Sequence, residues 1–89
     1  MKSKVTATYW KRLQRLPPLV RRAARRAYRQ FNSDPHHKSL RFKKLNTRLP
    51  LWSARINRDY RAVGVMDDDT IVWFWIGTHD EYDELLKQV

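Results

Sequence analysis

The chain has 89 residues, a formal net charge of +10 and no cysteine. That length suits one domain, taken as 1–89, which buries only roughly 60–65% of its unfolded surface. No disulfide or thiolate metal site is available, and no segment approaches the about 20 consecutive apolar residues of a membrane span.

The N-terminus, Met1-Lys2-Ser3-Lys4, lacks the apolar run of a secretory signal, so the expected compartment is the cytoplasm. Trp10, Trp52, Trp73 and Trp75 supply a large apolar area for so short a chain. The charge is segregated. Residues 1–66 hold 18 Lys/Arg and two acids, Asp34 and Asp59, whereas residues 67–89 hold seven acids and the single base Lys87. A field of this kind attracts polyanions, and nucleic acid is the commonest.

Thr6–Leu16 reads as a short helix, because Tyr9, Trp10, Leu13 and Leu16 recur at helical spacing. Pro17-Pro18 stops it and opens a second helix, from about Pro18 to Phe31. One stripe of that helix is apolar, and Arg21, Arg22, Arg25, Arg26 and Arg29 occupy the rest. The two are expected to form a hairpin, with the arginines a solvated, non-catalytic face. Asn32-Ser33-Asp34-Pro35 is a break, and the adjacent His36-His37 reads as solvated loop, since no carboxylate cluster at ligand spacing supports a metal there.

Ser39–Leu45 alternates as a half-buried strand would, and so does Trp52–Asn57, with Trp52, Ala54 and Ile56 against Ser53, Arg55 and Asn57. Tyr60–Met66 is a third strand, followed by a polar turn at residues 66–70. Thr70–Ile76 holds the run IVWFWI, which suits a strand covered on both faces, and Gly77 is expected to end it. Short links imply antiparallel meander pairing. Thr78 has the form of an N-cap with Glu81 as its capping-box partner, opening a short terminal helix over His79–Lys87. The expected class is α+β: an N-terminal helical hairpin packed on a four-stranded antiparallel sheet, with the helices on one side and a short C-terminal helix.

Ser39-Leu40-Arg41-Phe42-Lys43-Lys44-Leu45, Trp52-Ser53-Ala54-Arg55-Ile56-Asn57 and Asp59-Tyr60-Arg61-Ala62-Val63 resemble the central strands of the RelE/ParE toxin superfamily. Members show a lysine-rich strand, then W-x-x-R-I/V, then Y-R-A/V. Gly77-Thr78-His79-Asp80-Glu81-Tyr82 is similar to the G-x-H-x-x-Y ending of some members. The resemblance covers about residues 17–86. Many members open with a β-strand ahead of the hairpin. Here at most Lys4–Thr6 could serve, so that strand is expected to be absent or vestigial.

The superfamily contains ribosome-dependent mRNA endonucleases and DNA gyrase poisons. RNA cleavage through the 2′-OH needs a general base, a general acid and cations for the phosphorane charge. His79 is the first candidate for proton transfer, and Tyr82 lies on the same helix face. In the endonuclease branch a C-terminal histidine and tyrosine belong to the active site, which the motif match carries to His79 and Tyr82. The resemblance also gives Arg55 and Arg61 the scissile phosphate, a task suited to the guanidinium fork. Lys43, Lys44, Arg41, Arg48 and Arg58 are candidate nucleic-acid contacts.

Each residue has a structural alternative. His79 can bond backbone or a carboxylate at the helix start, Tyr82 can be a core aromatic, and Arg61 can pair with Asp59 or the acids of the last helix. Strand parity alone does not put Arg55 and Arg61 on one face. The implied function is that of a toxin: an mRNA endoribonuclease acting on the ribosome, a ParE-type gyrase poison, or an inactive antitoxin-binding relative. The implied partners are a cognate acidic antitoxin, with ribosome and mRNA or else DNA gyrase. No metal, cofactor or membrane is called for.

Overall fold

The computed structural model describes all of residues 1–89, and Thr6 sets its first boundary. The Thr6 backbone is extended and its hydroxyl accepts the Tyr9 N–H at 3.1 Å, which starts helix α1 (Ala7–Gln14). Ahead of it, Lys2–Val5 forms strand β1, which runs parallel to the last strand, β5 (Thr70–Thr78), with Lys2 opposite Thr70 and Val5 opposite Trp73. This corrects the expectation of an absent or vestigial opening strand. Three of its four residues are exposed, so it carries no apolar pattern. Backbone bonds hold it instead, from Lys2 N–H to Asp69 C=O (2.8 Å) and from Thr6 N–H to Trp73 C=O (2.9 Å). The Ser3 hydroxyl adds a bond to the Tyr28 hydroxyl at 2.9 Å. Lysines on such an edge discourage pairing with another chain.

Helix α2 (Pro18–Ser33) follows the double proline and runs two residues past the expected end. The hairpin link is tied by Arg21, whose Nη1 donates to the Leu16 carbonyl at 2.6 Å. Arg22, Arg25, Arg26 and Arg29 are exposed, as expected of a solvated face.

The expected strand over Ser39–Leu45 is mostly not one. His37 Nδ1 accepts the Ser39 N–H at 3.2 Å and closes a 3₁₀ turn at Lys38–Leu40. Arg41 then takes a left-handed conformation, φ 44°. Such local side-chain bonds compete with a ladder. Only Lys43–Lys44 remains as strand β2. Leu40 and Phe42 still reach the core, through a turn instead of a pleat.

Strands β3 (Leu51–Arg55) and β4 (Tyr60–Asp67) complete a sheet ordered β1-β5-β4-β3-β2. It is antiparallel except for β1, and five-stranded where four strands were expected. Gly77 does not end the last strand, which continues through Thr78. Between β4 and β5 the register slips: Val63 faces Trp75 but Gly64 faces Trp73, so Phe74 is the extra residue of a bulge. In an unbroken strand Trp73 and Trp75 would share a face. The bulge sends Trp73 to the core under α1 and α2, with Tyr9, Phe31 and Ile71, and Trp75 to a second core with Leu51, Val63 and Tyr82.

Helix α3 (His79–Lys87) covers this second core, through Tyr82, Leu85 and Leu86. It therefore lies on the face opposite the hairpin, which corrects the expectation of helices on one side. Gly64 is required at the bulge, because a Cβ there would lie 2.9 Å from Ile71 Cδ1 and 3.0 Å from the Trp73 ring. Gly64→Ala is expected to cost about 1–3 kcal/mol by overpacking. A urea melt checks this, and an unchanged midpoint would contradict the bulge packing.

Candidate active cleft

The sheet face that carries α3 is apolar toward Leu51 and polar toward the other end of β3. Arg55 pairs directly with Arg61 at the end of the β3–β4 ladder, so both side chains leave the same face. Lys43 stands opposite Ser53, and Ser53 opposite Val63, which brings Lys43 and Ser53 to that face too. With Arg41, His79 and Tyr82 these residues line a cleft of about 190 Å³. The tertiary structure thus gathers Arg41, Lys43, Arg55, Arg61, His79 and Tyr82 at one place. Lys44, Arg48 and Arg58 lie outside it. Lys44 faces the other way, opposite Trp52, while Arg48 and Arg58 are exposed in loops. Ser53 is the lining residue that sequence reasoning did not single out, although its alternation with Arg55 placed it on the same face.

Arg61 is fixed from behind. Asn57 Oδ1 accepts the N–H groups of Asp59 (2.9 Å) and Tyr60 (3.0 Å) and shapes the β3–β4 turn. Arg61 Nη1 donates to the turn carbonyls of Asn57 (2.7 Å), Tyr60 (2.9 Å) and Arg58 (3.3 Å). It forms no ion pair with Asp59 or with the acids of α3. Burial, and then the Arg55 guanidinium beside it, push the Arg61 pKa below its ordinary value. Two cations held face to face disfavour each other's charge, and an anion between them removes that penalty.

His79 is the first residue of α3. Its N–H donates to the Asp59 carbonyl at 2.8 Å, which ties the helix start to the turn that holds Arg61. Its ring Nδ1 lies 3.3 Å from Asp83 Oδ2, one helical turn on. The carboxylate thus takes one ring nitrogen, Nδ1, and Nε2 has no partner within the chain, while the residue lines the cleft. The ring meets Tyr82 edge-on, with centroids 5.8 Å apart. Tyr82 is only 7% exposed and packs in the second core while its ring lines the cleft, so it supports the His79 ring as well as the fold. His79, Asp80 and Asp83 come within 4.8 Å of one another at the surface, but at the positive end of a helix, where the dipole opposes a cation.

The helix start is locked by a full capping box. The Thr78 hydroxyl accepts the Glu81 N–H at 3.1 Å, and Glu81 Oε1 accepts the Thr78 N–H at 2.8 Å. Arg12 of α1 reaches across the sheet end to the same place. Its Nε donates to the Ile76 carbonyl at 2.7 Å, its Nη2 lies 3.7 Å from Glu81 Oε2, and its guanidinium sits 4.8 Å over the Trp75 ring.

The Thr78 N–H bond, and secondarily the Thr78 hydroxyl and Arg12, hold the Glu81 carboxyl below its ordinary 4.5. A depressed carboxyl stabilises the fold above the unfolded value and ceases to as pH falls through the lower, folded one. The thermal midpoint is therefore expected to drop below about pH 4.5, and Glu81→Gln should flatten that acid limb. An unaltered pH profile in the variant would count against the capping box as its source.

The family model for the ParE-like toxin domain matches residues 18–84. No curated protein matches the sequence. Several solved structures match the fold. The RelE of an archaeal RelE–RelB complex from Pyrococcus horikoshii OT3 is 23% identical, with a TM-score of 0.69 over 86% of this chain and 92% of that one. A RelB–RelE antitoxin–toxin complex from Methanococcus jannaschii gives 18% identity and a TM-score of 0.73 over 91% and 95%. The YoeB/ParE toxin of Agrobacterium tumefaciens gives 19% and 0.69 over 89% and 99%. The family model spans the second helix, the β2–β5 strands and most of α3, and the structural likeness extends over 86–91% of the chain: the chain belongs to the ParE-like toxin family, within the RelE/ParE superfamily.

Proposed function

We propose that this toxin is an endoribonuclease that cuts mRNA on the ribosome and so inhibits translation. One observation carries the reading: Arg41, Lys43, Arg55 and Arg61 converge on a single cleft with His79 and Tyr82. The scissile phosphate would sit between Arg55 and Arg61. The substrate 2′-oxygen attacks phosphorus and gives up its proton to solvent at the cleft mouth. The P–O5′ bond breaks, and His79 Nε2 delivers a proton to the leaving oxygen. The products are a 2′,3′-cyclic phosphate and a 5′-hydroxyl. Asp83 orients the imidazole, and the arginines stabilise the charge that builds on the phosphorane oxygens, where preorganised donors are most effective.

The same reading includes a cognate antitoxin, since two of the similar structures above are toxin–antitoxin complexes. An acidic partner with an apolar face fits this chain, because Val5, Trp10 and Leu19 are exposed (Trp10 by 53%) beside the arginines of α2. Cytoplasmic location accords with these targets, and no helix is long and apolar enough to cross a membrane.

The ParE-like family match favours a second reading, a gyrase poison that acts by binding. Primer extension on mRNA after induction separates the two. New 5′ ends inside reading frames support cleavage. Their absence, together with inhibition of purified gyrase in a supercoiling assay, would replace cleavage by poisoning.

A further inference from the structure

A second hollow adjoins the cleft. It lies between α2 and the end of β3, has a volume of about 270 Å³, and shares Arg55 with the cleft as a common wall. The reason the two communicate is the shortness of β2. Its ladder with β3 ends at Lys43–Ser53, and Arg41, which a longer ladder would set opposite Arg55, turns left-handed instead. The edge of β3 at Arg55 is therefore uncovered by a neighbouring strand, and a chain held in the cleft can pass around it toward α2.

The floor of the hollow is apolar and low. Ala23 and Ala27 lie four residues apart on one face of α2, with Leu40 and Ile56 beside them. Side chains this small leave room for a flat ring. The rim is the opposite in character. Arg26, Gln30 and Arg55 make no side-chain hydrogen bond or ion pair within the chain, and Asn57 spends only its Oδ1, which leaves its amide N–H₂ free. No acid lines the hollow. A flat apolar floor under a rim of unspent donors fits a ligand that combines an aromatic ring, edge acceptors and a negative charge.

We propose that this hollow binds the nucleobase adjoining the phosphate held at Arg55, with Arg26, Gln30 and Asn57 reading its edge, so that the protein itself contributes base preference at one position flanking the cut. The proposal rests on the ribonuclease reading for its biological use, but the binding is measurable without cleavage. An acidic protein segment is the competing occupant. The continuity with the cleft and the shape of the floor favour the nucleotide.

The test uses the full chain and two uncleavable probes, a 2′-O-methyl dinucleotide and the corresponding mononucleotide, titrated by NMR. Wild type is expected to bind the dinucleotide at least about tenfold more tightly, equivalent to about 1.4 kcal/mol, because the second base adds apolar contact with the floor and hydrogen bonds to the rim. The double variant Arg26→Ala, Gln30→Ala should lose that advantage, keep its mononucleotide affinity and melt at the wild-type temperature. Both side chains lie on the open side of a helix and alanine favours helix. In primer extension the double variant should still cut but with flattened base preference beside the cut. Equal binding of the two probes by wild type, or an undiminished dinucleotide advantage in the double variant, overturns the hollow as a base site. So does a polyglutamate peptide that binds through Arg26 and Gln30 as tightly as the dinucleotide. If wild type cuts no RNA yet shows the dinucleotide advantage and the double variant loses it, the hollow stands and the ribonuclease reading falls. If RNA is cut with the same preference by both proteins, the reverse holds.

Discussion

Replacing His79 with alanine is expected to lower mRNA cleavage by about 10²–10⁴-fold, the range for removing a positioned proton donor. The fold should survive. The ring is half exposed, its one side-chain bond is to the exposed Asp83, and the backbone bond to Asp59 does not need the side chain. Primer extension measures the first effect and a thermal melt the second. Asp83→Asn isolates the orienting role: it keeps the shape but weakens the grip on Nδ1, so cleavage should fall by less than in His79→Ala while the melting temperature stays at the wild-type value. A His79→Ala protein that cuts at the wild-type rate would end the histidine-centred mechanism, whatever the fate of the family assignment.

Arg61→Ala should cost about 10²–10³-fold in cleavage, as loss of a preorganised donor to developing charge does elsewhere. Lysine should not restore it. Nη1 alone serves the three turn carbonyls, which leaves Nε and Nη2 for the phosphate, and a single ammonium cannot hold the turn and reach the phosphate together. Removal of Arg61 also relieves Arg55 of a neighbouring like charge. The variant should therefore lose activity without a matching loss of stability, unlike a core substitution. Turnover measured beside a denaturation midpoint decides this. A parallel fall in both would mean that Arg61 only secures the turn.

How much of this was legible beforehand depends on the range over which each feature is fixed. Helices α1 and α2, the Pro17-Pro18 break and the Thr78–Glu81 capping box are local: apolar spacing, proline stereochemistry and a three-residue hydrogen-bond loop specify them. The residues of the cleft were also readable as types, since an arginine alternating with Trp52 and Ile56 has no place in a core. The opening strand was not legible, because β1 is held by backbone bonds to β5 some 70 residues away and by no pattern of its own. Ser39–Leu45 misled for the converse reason: its alternation was genuine, but a local bond from Ser39 to His37 used it in a turn.

Sequence by itself determined the α+β class, the basic surface, the capped final helix and the inventory of cationic and titratable groups. Tertiary structure alone decided that Arg55 and Arg61 share a face, because facing depends on ladder register, and register is set by pairing between strands. It alone decided that α3 covers the face opposite the hairpin, since the bulge at Phe74 splits Trp73 and Trp75 between two cores. That division is what carries His79 and Tyr82 to the arginines.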